Sequence, residues 1–187
     1  MTPMVSATID TVALKHNLQR IRDFAPRSRV MAVIKANAYG HGLVAVARAL
    51  DEADAFAVAR VDEGLTLRMA GIQKRTLLLE GVFDRGQLDS AAAAGFELVV
   101  HTPEQIELLR QAGAVLIWLH CPVDDLLKRI AHIPDRPLFR DAASFRKLYE
   151  ERLPFYELAE YRVESNVEPL RVVEQILALG IFPKVVA

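Results

Sequence analysis

A chain of 187 residues, 52% of them apolar, is long enough to bury one core or two small ones. Its formal net charge of −1 offers no field for nucleic acid or an anionic membrane to follow, and its single cysteine, Cys121, excludes an internal disulfide framework and suits a reducing compartment. Nothing approaches the ~20 uninterrupted apolar residues that span a bilayer, and Met1 to Asp10 does not read as a signal peptide, so a cytoplasmic protein without membrane or nucleic-acid partners is expected.

In chain order, Arg29–Ile34 reads as a buried strand and Leu43–Leu50 as the helix after it. Ala55–Val58 is the next strand, and Asp62–Met69 a helix that begins with acids and stops near Gly71. Thr76–Leu79 is a third strand, followed by a helix over Asp84–Ala94 that ends at Gly95. Glu97–Val100 is a fourth strand. Thr102 reads as the N-cap of a helix that starts at Pro103 and stops at Gly113. Val115–His120 is a fifth strand. Near-continuous apolar strands separated by helices predict a mainly parallel sheet covered on both faces.

The rhythm changes after His120. Pro122–Ile130 reads as a helix, and Ala131–Arg140, with its prolines and charges, as a loop or flap. Ala142–Arg152 and Phe155–Ala159 read as helices broken at Pro154. Tyr161–Glu164 is a short strand, and Glu168 and Pro169 open a last helix ending near Gly180. There is no repeat, no low-complexity segment and no flexible linker.

The most informative stretch is VIKANAYGHG, Val33–Gly42. It sets Lys35 at the carboxyl end of an apolar strand, where parallel α/β folds bind ligands, and follows it with a loop of small residues. A neutral amine in that place can form a Schiff base with an aldehyde cofactor. The glycines of the loop let backbone N–H groups approach an anion. Gly40 to Ala45 also matches the dinucleotide fingerprint G-x-G-x-x-A, with Asp62 at a suitable distance. That fingerprint needs its first glycine in the tight turn directly after the strand, however, and here Lys35 to Tyr39 intervene.

The segment IKANAYGHG resembles the signature of the alanine racemase family, pyridoxal-phosphate enzymes of fold type III built on a TIM-like barrel. The likeness begins with ATIDTVALKHNLQRIR (Ala7–Arg22) and continues through DAFAVARVDEGLTLRMAGI, TLLLEGVFD and HTPEQIELL, to about residue 112. The resemblance implies that Lys35 carries the cofactor and serves as one of two racemising bases, and that Tyr39 bonds the cofactor phosphate. It also implies a second, opposing tyrosine base from a later region, supplied by a partner subunit. No match to that region is found here.

From about residue 115 the chain instead resembles the C-terminal part of shikimate kinases, on VLIWLHCPVDDLLKRI, DRPLFRD, LYEERLPFY and EPLRVVEQIL. That resemblance implies that Arg136 reaches nucleotide phosphate and Arg152 holds the shikimate carboxylate, tasks that suit a bidentate guanidinium. No G-x-x-x-x-G-K-[ST] loop occurs anywhere in the chain, which argues against ATP as a cofactor. His16, His41, His101, His120 and His132 lack metal-ligand spacing, so no metal site is expected. His120 ends a strand beside Cys121 with no acid or base assignable to it.

The expectation is therefore an α/β protein with a mainly parallel sheet of about six strands, too few to close a TIM barrel, and helices on both faces. A partial TIM-barrel-like front, residues 1–113, is joined to a P-loop-kinase-like end, residues 114–187, and the two pack as one domain. Function reads as a pyridoxal-phosphate-binding remnant of an alanine racemase without full activity. The alternatives are a non-catalytic recombined scaffold and a shikimate-kinase-like protein without its phosphate loop. An exposed edge at Ala7–Asp10 could pair two copies as a homodimer.

Overall fold

A computed structural model describes residues 7–130 and 141–181. The chain separates into two compact units, residues 1–112 and 113–187.

The first unit opens with a helix that the sequence reading did not assign, α1 (Thr11–Phe24). Asp10 caps it, its carboxylate accepting from the N–H groups of Val12 and Ala13 at 2.9 and 3.0 Å. Leu18 is buried and Leu14 packs against the same core, four residues apart on one helix face. Ala7–Asp10 is thus the lead-in to a capped helix, and the pairing edge expected there is not formed.

Then come β1 (Met31–Val33), a one-turn α2 (Lys35–Tyr39), α3 (Leu43–Ala49), β2 (Ala55–Val58), α4 (Val61–Met69), β3 (Thr76–Leu78), α5 (Arg85–Ala93), β4 (Glu97–Leu98) and α6 (Pro103–Gln111). The helix starts follow the sequence signals. Asp84 accepts from Gln87 N at 2.8 Å, and Thr102 with Gln105 forms a capping box behind Pro103.

Strands β1 to β4 form one parallel sheet in sequential order, with Ala32 opposite Phe56, Phe56 opposite Thr76, Val58 opposite Leu78 and Leu78 opposite Leu98. Residues in register share a face, so Ala32, Phe56, Val58, Leu78 and Leu98 all point into the core. Helix α3 packs on α4, and α4 on α5, as one row. A sequential order with right-handed crossovers places the connecting helices on a single face. This corrects the expectation of helices on both faces. The order is the one a (βα) barrel uses.

The second unit contains β5 (Ile117–His120), α7 (Val123–Ile130), α8 (Ala142–Tyr156), β6 (Tyr161–Glu164) and α9 (Pro169–Ala178). Strands β5 and β6 pair in parallel, Leu119 opposite Val163 and His120 opposite Glu164, as a separate two-stranded sheet. The single sheet of six strands is therefore corrected to a sheet of four and a sheet of two among the described residues. Helix α8 runs through Pro154 without the expected break. The proline falls in the last turn, where one missing backbone hydrogen bond no longer stops the helix. The expected flap, Ala131–Arg140, lies outside the described residues.

Candidate functional site

The site is built at the carboxyl end of β1. Ile34 is buried and its N–H donates to Ala57 O at 2.8 Å, so the chain is still tied to β2 one residue before Lys35. Lys35 comes next, half-buried. Among the described residues its amine has no hydrogen-bond or ion-pair partner.

The loop after Lys35 is not the relaxed segment its small residues suggest. Ala36, Asn37, Ala38 and Tyr39 all take left-handed backbone angles, φ 53 to 55°. For residues with a Cβ this costs about 1–2 kcal/mol each. Internal hydrogen bonds hold the turn: Gly40 N to Ala36 O at 3.0 Å, His41 N to Ala38 O at 3.0 Å and Gly42 N to Asn37 O at 3.0 Å. Nδ1 of His41 lies 2.8 Å from Ala38 O. The Asn37 side chain accepts from Leu43 N at 2.8 Å and so caps α3. Ala38 is buried under the turn, while Tyr39 stands 59% exposed.

A carboxylate on α4 closes the arrangement. Glu63 Oε2 accepts from Ala59 N at 2.8 Å and from Arg60 N at 3.3 Å, and its Oε1 from Asn37 N at 3.4 Å. The segments after β1 and β2 are thus bound to one side chain. Neither Asn37 nor Glu63 was singled out from the sequence. The only available signal was Glu63 at the third position of a helix that starts after a strand, where an acid reaches back to free N–H groups.

Pyridoxal phosphate needs an amine for its aldehyde and donors for its phosphate. The turn presents a lysine amine with no partner among the described residues and, four residues on, an exposed phenol, so the residues present fit the group. No cluster of three His, Cys, Asp or Glu side chains able to hold a metal occurs among the described residues.

In the second unit Arg152 lines a cavity of about 260 Å³ together with Trp118, Cys121, Arg129, Tyr149 and Tyr156. Trp118 stacks on Tyr156 with ring centres 6.0 Å apart, and Arg129 donates to Ser165 O at 2.7 Å. Arg136, its expected companion, lies outside the described residues. His120, which the sequence left without a partner, receives one from the sheet register: its Nδ1 is 2.7 Å from Glu164 Oε2. That hydrogen bond, with help from Arg162 and against some desolvation, holds the Glu164 carboxyl below the ordinary glutamate range.

Sequential parallel βα units thus carry, at the carboxyl end of their first strand, a lysine amine with no partner among the described residues, at the end where parallel α/β sheets bind ligands. The family model "Alanine racemase, N-terminal domain" matches residues 9–130, and the chain belongs to that family. It is 50% identical over 117 residues to the biosynthetic alanine racemase of Escherichia coli K12, a stretch covering 61% of this chain and 33% of that protein. The chain thus spans about a third of the length of the curated relatives it matches. Among solved structures, the biosynthetic alanine racemase of Pseudomonas aeruginosa superposes with a TM-score of 0.55 at 29% identity, over 94% of this chain and 50% of that one. The alanine racemase of Acinetobacter baumannii gives a TM-score of 0.55 at 26% identity, over 84% and 53%.

A second family model, shikimate kinase, matches residues 92–179. The chain therefore has two parts, racemase-like and then kinase-like. The racemase match runs on to residue 130, through β5 and α7, beyond the point near residue 112 where the signature motifs fade.

Proposed function

We propose that the front unit is a pyridoxal-phosphate-binding portion of an alanine racemase, with Lys35 as the cofactor lysine and Tyr39 as a phosphate ligand, and that this chain does not complete racemisation. The observation that carries the reading is the half-buried amine of Lys35, without a partner among the described residues, at the carboxyl end of a parallel strand and followed by a strained turn. Bound there, the cofactor would supply an aldehyde for that amine and a sink for the electrons left when a substrate Cα–H bond breaks. Lys35 Nζ can give or take a proton at the substrate α-carbon from one side. Inversion needs a second acid–base group on the opposite side. In the family resemblance that group comes from a later region, and the chain spans only a third of its curated relatives.

The test is an absorbance titration with pyridoxal phosphate in the parent protein and in Lys35→Ala, followed by alanine in D2O. Expected are a saturable band lost in Lys35→Ala, and no interconversion of L- and D-alanine. Full racemisation would refute the second half of the reading, and an identical titration in the two proteins the first.

A second reading is favoured by the overlapping family matches and by the cavity around Arg152. The chain is then a recombined chimera, front 1–113 and back 114–187, in which a P-loop-kinase-like end follows a partial barrel in the sequence. Such a scaffold needs no activity of its own, because function resides in sites and not in folds. It predicts no rise in melting temperature with either pyridoxal phosphate or ATP. Phosphoryl transfer remains the weakest alternative, since Arg136 and Arg152 would act without a phosphate loop. Association of two copies as a homodimer belongs to the racemase reading and is tested by sedimentation.

A further inference from the structure

We propose that Glu63 is the positioning residue of the Lys35 site: its carboxylate ties the left-handed turn that follows Lys35 to the end of β2 and so fixes the directions of Lys35 and Tyr39. The inference rests on the reading of Lys35 as the cofactor lysine.

The turn's own hydrogen bonds run within residues 34–43, Ala38 N donating to Ile34 O at 2.9 Å, so they set its shape and join it to the end of β1 but not to the segment after β2. Its orientation against that segment requires a further bond. Asn37 N to Glu63 Oε1, at 3.4 Å, supplies one from a residue two places after Lys35. The same carboxylate is held by Ala59 N at 2.8 Å and Arg60 N at 3.3 Å, both directly after β2. An ionised carboxylate is suited to this task because both oxygens only accept. An amide would turn its NH2 toward one set of backbone donors and lose that side of the tie.

The neighbouring acid cannot substitute. Asp62 is engaged by Arg60 through two hydrogen bonds, at 3.0 and 2.8 Å. Four successive left-handed residues with side chains form a segment that relaxes when its restraint goes. Relaxation would swing Tyr39 relative to Lys35, separating the two groups that must meet opposite ends of one cofactor.

The experiment compares the parent protein with Glu63→Gln and with Asp84→Ala, which removes the cap of α5 and serves as a control for lost stability. Deuterium exchange on unloaded protein is read in peptides covering residues 35–43, and cofactor affinity by absorbance titration. Glu63→Gln is expected to speed exchange in 35–43 and weaken cofactor binding, each about tenfold, as one or two hydrogen bonds would. Asp84→Ala is expected to lower the melting temperature without either change. Equal exchange and equal affinity in Glu63→Gln and the parent would overturn the proposal. If Glu63→Gln does not fold, Glu63→Asp, which keeps the charge but withdraws it by one methylene, is read in the same way. A parent that takes up no cofactor at Lys35 refutes the proposed function alone, and the exchange of 35–43 then decides whether Glu63 holds the turn.

Discussion

The two units are made from the same materials, parallel strands and amphipathic helices, yet they bury them differently. In the first, Phe56, Val58, Leu67 and Leu78 are fully enclosed and join a continuous core that also takes in Leu18 of α1 and Leu88 of α5. In the second, the buried apolar residues among those described are Cys121, Ile130 and Val163, and neither α8 nor α9 buries a residue fully. Leu170, Val173 and Leu177 of α9 lie on one helix face and stay 70, 49 and 63% exposed. Four strands with a full row of helices make a self-sufficient layer. Two strands leave the helices around them with apolar faces that no described residue of the unit covers. The conformational strain after Lys35 is found in the unit that can support it.

The comparison is broken most directly in the front core. Phe56→Ala should cost about 3–5 kcal/mol, since a large, fully buried ring leaves a cavity, and denaturant unfolding followed by circular dichroism measures it. Gly81→Ala comes next, at about 2–4 kcal/mol. Gly81 has φ 71°, and an added Cβ would stand 2.4 Å from Val99 O and 2.8 Å from Gln105 Nε2. That clash is with backbone, which cannot step aside, so the packing of β3 against the start of α6 should loosen. Val163→Ala in the back unit should cost only about 1–2 kcal/mol, and hydrogen exchange should report the loss in residues 113–181 while 29–98 remain protected. A larger effect there would mean that the back unit is better packed than its exposure suggests.

The smallest effect is one of pH. The Glu164 carboxyl titrates below its unfolded value because His120 hydrogen-bonds to it. A lowered folded pKa contributes stability that is fully present above the ordinary glutamate range and is lost as pH falls through the lowered value. Acid should therefore loosen the β5–β6 pair, and Glu164→Gln should flatten that part of the profile, as read by Trp118 fluorescence. No change in the acid limb would show that the His120–Glu164 contact contributes nothing.

Much of this was legible in the sequence, and what was not has physical causes. The strands Ala55–Val58, Thr76–Leu78 and Tyr161–Glu164, and the helices after Asp84 and Thr102, follow from apolar runs and capping residues, which act locally. Helix α1 has its signal in the cap Asp10 and in Leu14 and Leu18 four residues apart, but the intervening residues are mostly polar and exposed, so its apolar face is narrow. The division of six strands into two sheets depends on which edges pair, a long-range property that composition does not encode. Lys35 stood out through its position after a strand. Glu63 did not, because its role depends on two segments that meet only in the folded chain, and the left-handed angles of residues 36–39 contradict the preferences of alanine and tyrosine.

Its place in the fold should single out the Lys35 amine from the chain's other lysines. Borohydride reduction of the protein incubated with pyridoxal phosphate, followed by digestion and peptide mass mapping, tests it directly. The expected result is one reduced adduct, on the peptide containing Lys35, at cofactor concentrations that leave Lys15, Lys74, Lys128, Lys147 and Lys184 unmodified. Adducts spread evenly over those lysines, with no preference for Lys35, would contradict it.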